Sequence, residues 1–158
     1  MKSASIPQDT EPVRAVVQSK ANSPHRILVV DDDAEIRRLN AKVLLNSGFH
    51  VDAAEDGAEA WENLQLHRYD LLVTDNDMPK VTGVELLKKL HAARMALPVI
   101  LATAVAPNEA FSASPLLPLA AILLKPYTPR EFLETVQEAL RATVNAPKPD
   151  GPPPDLKF

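Results

Sequence analysis

Two short runs in this chain, apolar but for one closing threonine, each end abruptly in carboxylates. Ile27-Leu28-Val29-Val30 leads into Asp31-Asp32-Asp33, and Leu71-Leu72-Val73-Thr74 leads into Asp75-Asn76-Asp77. Consecutive apolar, β-branched residues leave no polar face for water, which is the pattern of a strand buried on both sides in a parallel sheet. An open sheet of that kind binds ligands beyond the carboxyl ends of its strands. The two acid clusters are therefore expected at one edge of one sheet.

The rest of the chain supports such a sheet. Arg26–Val30 predicts the first strand. Ala34–Ser47, with Ile36, Leu39, Val43 and Leu44 at helical spacing, predicts a helix closed by Gly48, where a cap favours positive φ. His50–Ala54 reads as a weaker strand and Gly57–Leu66 as a helix carrying Ala60, Trp61 and Leu64. Asp70–Thr74 is the next strand, followed by a helix over Val84–Arg94 with Leu87 and Leu90 inward. Pro98–Ala102 and Ala121–Leu124 are further strands. Pro129 opens a last helix whose Phe132, Leu133, Val136, Leu140 and Val144 form one apolar stripe. A fourth helical segment, Ala106–Leu119, holds Pro107, Pro115 and Pro118. A helix-interior proline costs about 3 kcal/mol, so this segment is expected to be short or irregular. Five strands alternating with about five helical segments predict a doubly wound α/β domain with a parallel sheet.

Length and proline placement set the boundaries. A chain of 158 residues has room for one domain. Of 15 prolines, 3 lie in residues 1–25 and 5 in residues 145–158, and these stretches hold too little apolar surface to offset the entropy of ordering them. Residues 26–144 are expected to fold, between an N-terminal tail and a Pro-rich C-terminal tail. The net charge is −4 for the chain and −5 for that central part, against nucleic acid as a direct partner and in favour of a cation. Cys is absent, excluding disulfides, thiolate catalysis and Cys-based metal sites. No secretory signal and no run of about 18 apolar residues is present, so a cytoplasmic protein without a membrane span is expected.

Reading the strand ends in order gives the candidate site. Asp31, Asp32 and Asp33 end the first strand, Asp75, Asn76 and Asp77 the third, Thr103 the fourth and Lys125 the fifth. Asp33 also suits a helix N-cap. Converging carboxylates raise one another's pKa unless a cation intervenes. Oxygen ligands from a few carboxylates suit Mg²⁺, which points to Asp31, Asp32 and Asp75. A carboxylate is also a nucleophile toward phosphorus, and Asp75, closing its strand singly, is the best candidate. Lys125 would neutralise phosphoryl charge and Thr103 would donate a hydrogen bond to it. Trp61 reads as packing, and the four His residues show no ligand spacing.

These residues resemble the receiver domain of two-component response regulators over about 26–144: ILVVDDD at 27–33, LLVTDNDMPKVTG at 71–83, PVILATA at 98–104 and LLKPYTP at 123–129. The resemblance implies a flavodoxin-like sheet in order 2-1-3-4-5. It gives Asp31 and Asp32 the acidic-pair positions, Asp75 the phosphoacceptor and Asp77 the position whose backbone carbonyl ligates Mg²⁺. Thr103 takes the switch hydroxyl and Lys125 the phosphate-binding lysine, with a cis bond to Pro126. Ala104, Ile122 and Pro126 fall at switch or output positions; Ile122 stands where the family often has an aromatic ring. The phosphoryl donor implied is a histidine kinase or phosphotransfer protein, the output a protein target, and the state a monomer or phosphorylation-dependent dimer.

The expected function is that of a stand-alone receiver, a signalling domain rather than an enzyme, since the 39 tail residues hold no effector domain. The alternatives are a phosphorelay intermediate and a degenerate receiver serving as a scaffold. Asp75-Asn76-Asp77 also resembles the D-x-D of haloacid-dehalogenase-like phosphatases, with Asp75 as nucleophile and Asp77 as general acid. Those enzymes need further acids downstream, whereas here the pair lies upstream at Asp31 and Asp32.

Overall fold

The computed structural model describes residues 24–105 and 119–145. Its elements are β1 (Arg26–Val30), α1 (Ala34–Asn46), β2 (His50–Ala54), α2 (Gly57–Leu66) and β3 (Leu71–Asp75), followed by α3 (Gly83–Ala92), β4 (Val99–Thr103), β5 (Ala121–Leu124) and α4 (Pro129–Asn145). The strands form one parallel sheet in the order β2-β1-β3-β4-β5. The expected doubly wound α/β fold with order 2-1-3-4-5 is what the chain adopts.

The period of two along each strand divides the core. Ile27, Val29, Leu71, Val73, Ile100 and Ala102 face one layer, where they pack with Leu44 of α1 and Phe132, Val136, Ala139 and Leu140 of α4. Leu28, Val30, Leu72, Val99 and Leu101 face the other, with Ala60 and Leu64 of α2 and Leu86, Leu87 and Leu90 of α3. Each fully buried Leu, Ile or Val adds about 1.5–3 kcal/mol of hydrophobic stabilisation, so uninterrupted apolar strands require helices on both sides.

Local signals start and stop the helices. Asp33 is the N-cap of α1, its carboxylate accepting from the amides of Glu35 and Ile36. Gly48, at φ +94°, follows the Ser47 C-cap. Thr82 and Glu85 form a capping box on α3, and Thr128 and Glu131 bond each other reciprocally at the start of α4.

Several boundaries differ from expectation. Asp70 stays outside β3, its carboxylate accepting from the Arg26 amide, while Asp75 belongs to the strand. Pro98 precedes β4; it lacks an N–H, though its carbonyl still accepts from Leu72. Helix α3 starts at Gly83 and ends at Ala92, before Arg94 turns the chain at φ +58°. In α1, Leu39 is 49% exposed and Asn40 takes the buried position instead. The expected segment Ala106–Leu119 lies outside the described residues except for Leu119, as do residues 1–23 and 146–158 of the tails and the side chain of Val144. Among the described residues no helix is long and apolar enough to cross a membrane.

Candidate functional site

The parallel register aligns the carboxyl ends of four strands. Val30 pairs with Thr74, Asp75 with Ala102, and Thr103 with Leu124, so the residues that follow these positions emerge along one edge. Asp31 is 3% exposed, Asp75 3% and Thr103 4%, whereas Asp32 is exposed. Carboxylate oxygens of Asp31, Asp32 and Asp75 all lie within 4.8 Å of one another. Lys125 closes the cluster: its Nζ donates to Asp75 Oδ1 at 2.8 Å.

Main-chain groups fix the acids. Asp31 Oδ1 accepts from the Asp33 amide at 2.9 Å and Asp75 Oδ1 from the Asp77 amide at 3.2 Å. The Asn76 side chain accepts from the Val84 amide at the start of α3, and its carbonyl from Met78 and Gly83. The loop thereby folds tightly onto β3, with Lys80 at φ +70°, a conformation that costs a non-glycine residue about 1–2 kcal/mol. Gly83 makes this closeness possible, because a Cβ there would lie 2.8 Å from the Asp75 carbonyl oxygen and 2.6 Å from Leu101 Cδ1. Thr103 Oγ1 accepts from the Val105 amide at 3.3 Å, and the Thr103 carbonyl from the Lys125 amide at 2.9 Å.

The electrostatics follow from burial. Desolvation pushes the Asp31 carboxyl up to about 6, against the bond from the Asp33 amide; the Asp75 and Asp32 charges push the same way and Lys125 opposes them. Desolvation also raises Asp75, although Lys125 and the Asp77 amide pull it down. For Lys125, burial works against the charged form, but the bond to Asp75 and the charges of Asp75 and Asp31 outweigh it and raise its pKa. One ammonium does not offset the burial of two acids with a third beside them. The all-oxygen donor set fits a hard divalent cation that would supply the missing positive charge.

Asp31, Asp32, Asp75 and Lys125 are thus brought together, with Thr103 at the same edge and Asp77 held to Asp75 through its amide. Ala104 is exposed just after β4, Ile122 is half-buried in β5 opposite Leu101, and the Lys125–Pro126 peptide is cis. Among the described residues, the group placed on Asp75 from farther downstream is a cation, not the further acid a D-x-D phosphatase needs. Three contacts escaped the sequence. Arg37 Nη1 donates to the Asp31 carbonyl at 2.7 Å, Asn76 clamps the loop, and Asn40 Nδ2 donates to the Tyr127 hydroxyl at 2.8 Å. Only Asn40 left a trace, as an amide beside an apolar stripe. The described cavities, about 600 and 290 Å³ around Met95–Leu97, lie near the amino end of β4, away from this edge.

Residues 27–137 match the response regulator receiver domain family. The chain belongs to that family. It is 36% identical over 118 residues to the alkaline phosphatase synthesis transcriptional regulatory protein PhoP of Bacillus subtilis, covering 73% of this chain and 48% of that protein. A CheY-like response regulator receiver domain protein from Methanospirillum hungatei has a similar structure, with TM-score 0.71 and 30% identity over 77% of this chain and 97% of that one. The response regulator TrrA of Thermotoga maritima, solved in complex with Mg²⁺-BeF, gives TM-score 0.63 and 29% identity over 73% and 98%. The receiver fold is that of a signalling domain in two-component systems. The chain spans about half the length of the curated relatives it matches.

Proposed function

We propose that this receiver domain accepts a phosphoryl group on Asp75 from a histidine kinase or phosphotransfer protein and thereby switches its binding to a protein target. The observation that carries this is the Lys125 ammonium 2.8 Å from a buried Asp75 carboxylate, beside two further acids at the carboxyl edge of the sheet. A carboxylate oxygen of Asp75 attacks phosphorus as the P–N bond to the donor imidazole breaks. The bonding pair returns to the imidazole nitrogen, which takes up a proton. The clustered carboxylates of Asp31, Asp32 and Asp75, with the main-chain carbonyl of Asp77 at the position the family resemblance assigns to the metal, are the groups that would hold Mg²⁺, which when bound supplies charge neutralisation at the phosphoryl oxygens.

Lys125 gives up its bond to the free carboxylate and neutralises a phosphoryl oxygen, and the Thr103 hydroxyl donates to another. Exchanging these contacts biases a two-state equilibrium in the β4 and β5 ends, where Ala104, Ile122 and Pro126 lie. The test uses phosphoramidate, a donor with a P–N bond, and Mg²⁺, followed by borohydride reduction and peptide mapping. Homoserine at position 75, absent in Asp75→Asn, is expected. Modification at any other residue, or none with Mg²⁺ bound, would contradict the assignment.

A further inference from the structure

Helix α1 touches both jaws of the site. Arg37 donates to the Asp31 carbonyl at the end of β1 at 2.7 Å. One turn on, Asn40 donates to the hydroxyl of Tyr127, in the four-residue connection 125–128 that carries Lys125 from β5 to α4. Residues three apart on a helix are neighbours on one face, so a single rigid element grips the acid arm and the lysine arm together.

The chemistry of the pair is specific. Asn40 is 3% exposed on the face of α1 that packs into the core, where an unbonded amide is strongly disfavoured and an aliphatic side chain would be the ordinary choice. Its described partner is the Tyr127 hydroxyl, 87 residues away. The Tyr127 ring stacks on the fully buried Phe132, with centroids 5.8 Å apart and planes at 19°. The connection is tied at one end by the Lys125 amide on the Thr103 carbonyl and at the other by the reciprocal bonds of Thr128 and Glu131. The Asn40–Tyr127 bond holds its middle against α1.

We propose that Asn40 and Tyr127 are a positioning pair that sets the Lys125 ammonium against Asp75. Neither touches the reacting atoms; both act through the placement of Lys125. The role in phosphorylation rests on Asp75 being the acceptor, whereas the effect on Lys125 does not. The full chain is compared with Tyr127→Phe, which keeps the stacked ring, with Asn40→Leu, and with the double variant, each checked for cooperative urea unfolding. Lysine-ammonium NMR, with the Lys125 signal assigned through Lys125→Arg, reads the lysine directly; labelling by acetyl phosphate reads its use.

In both single variants the Lys125 ammonium signal is expected to broaden or shift. The labelling rate should fall about fivefold, the worth of one net hydrogen bond carried into a rate. The Mg²⁺ midpoint should hold within about twofold, and the double variant should be no slower than the singles, as for partners in one bond. An unchanged Lys125 signal in both variants overturns the proposal, whatever the labelling rate does. A signal that responds in a chain that takes no label upholds the pair and rejects Asp75 as acceptor. Additive losses in the double variant also overturn it, because independent sites do not share a bond.

Discussion

Replacing Asp31 by Asn should stabilise the domain when no divalent cation is present. Asp31 is 3% exposed, and its carboxyl titrates near 6 in the fold against an ordinary 3.8. Burial is the main cause, opposed first by the Asp33 amide and reinforced by the charge of Asp75. Because the folded value is the higher one, the folded state binds the proton more tightly. The protonated acid's contribution is fully present below about pH 4 and is lost as pH rises through about 6. Near neutral pH the charged carboxylate therefore costs the fold about 3 kcal/mol.

Asn keeps an acceptor for the Asp33 amide and carries no charge, so Asp31→Asn should recover most of that sum. For a domain of this size the gain corresponds to a rise of roughly 10 °C in Tm. Urea unfolding in EDTA, near neutral pH and below about pH 4, is the assay. The variant should be the more stable at neutral pH and equal to wild type in acid. Adding Mg²⁺ should narrow or invert the gap, since a ligand at 100 times its Kd adds about 2.7 kcal/mol to the protein that binds it. A variant less stable than wild type at neutral pH in EDTA, or a gap that persists in acid, would refute the electrostatic reasoning.

Three other substitutions probe different parts of the structure. Gly83→Ala places a Cβ 2.8 Å from the Asp75 carbonyl oxygen, and should cost about 1–3 kcal/mol in urea unfolding and slow labelling of Asp75; wild-type behaviour in both would contradict the close approach. Asp52→Asn removes the negative charge from a carboxylate oxygen that accepts from Arg26 at 2.7 Å and Tyr69 at 2.6 Å. Burial raises the Asp52 pKa, but those two donors outweigh it and bring it below 3.8, so the contribution holds above about pH 4 and is lost as pH falls through the depressed value. Its size is on the order of 1 kcal/mol, because the side chains of Asp52 and Arg26 are 35% and 40% exposed, and a stability difference independent of pH would argue against the ion pair. Phe132→Ala removes a fully buried ring that also stacks on Tyr127; a loss of about 3–5 kcal/mol is expected by calorimetry, and one below about 1 would contradict its central place in the core.

Much of the fold was legible because both faces of the sheet are covered. Ile27–Val30 and Leu71–Val73 could hardly be anything but central strands, and Asp33, Gly48 and Pro129 marked helix ends by local chemistry. The site was legible for a related reason. In a parallel sheet the residue after each strand must appear at one edge, so Asp31, Asp75, Thr103 and Lys125 could be gathered from order alone. What escaped depends on distant partners. Leu39, expected on the inward face, is exposed, while Asn40 is buried and bonds Tyr127, 87 residues on; helical spacing has no access to that pairing. The boundaries at Asp70 and Pro98 shifted by one residue for similar reasons. Asp70 caps the Arg26 amide on another strand, and Pro98 contributes only a carbonyl to its neighbour.

The most direct measurement is intact mass after incubation with acetyl phosphate and Mg²⁺, run in parallel on Asp75→Asn and on wild type with EDTA. A single phosphoryl adduct in wild type, absent from both controls, is the predicted result. An adduct that survives in Asp75→Asn, or a wild-type chain that binds Mg²⁺ and takes no adduct, would contradict the assignment of Asp75 as the phosphoacceptor.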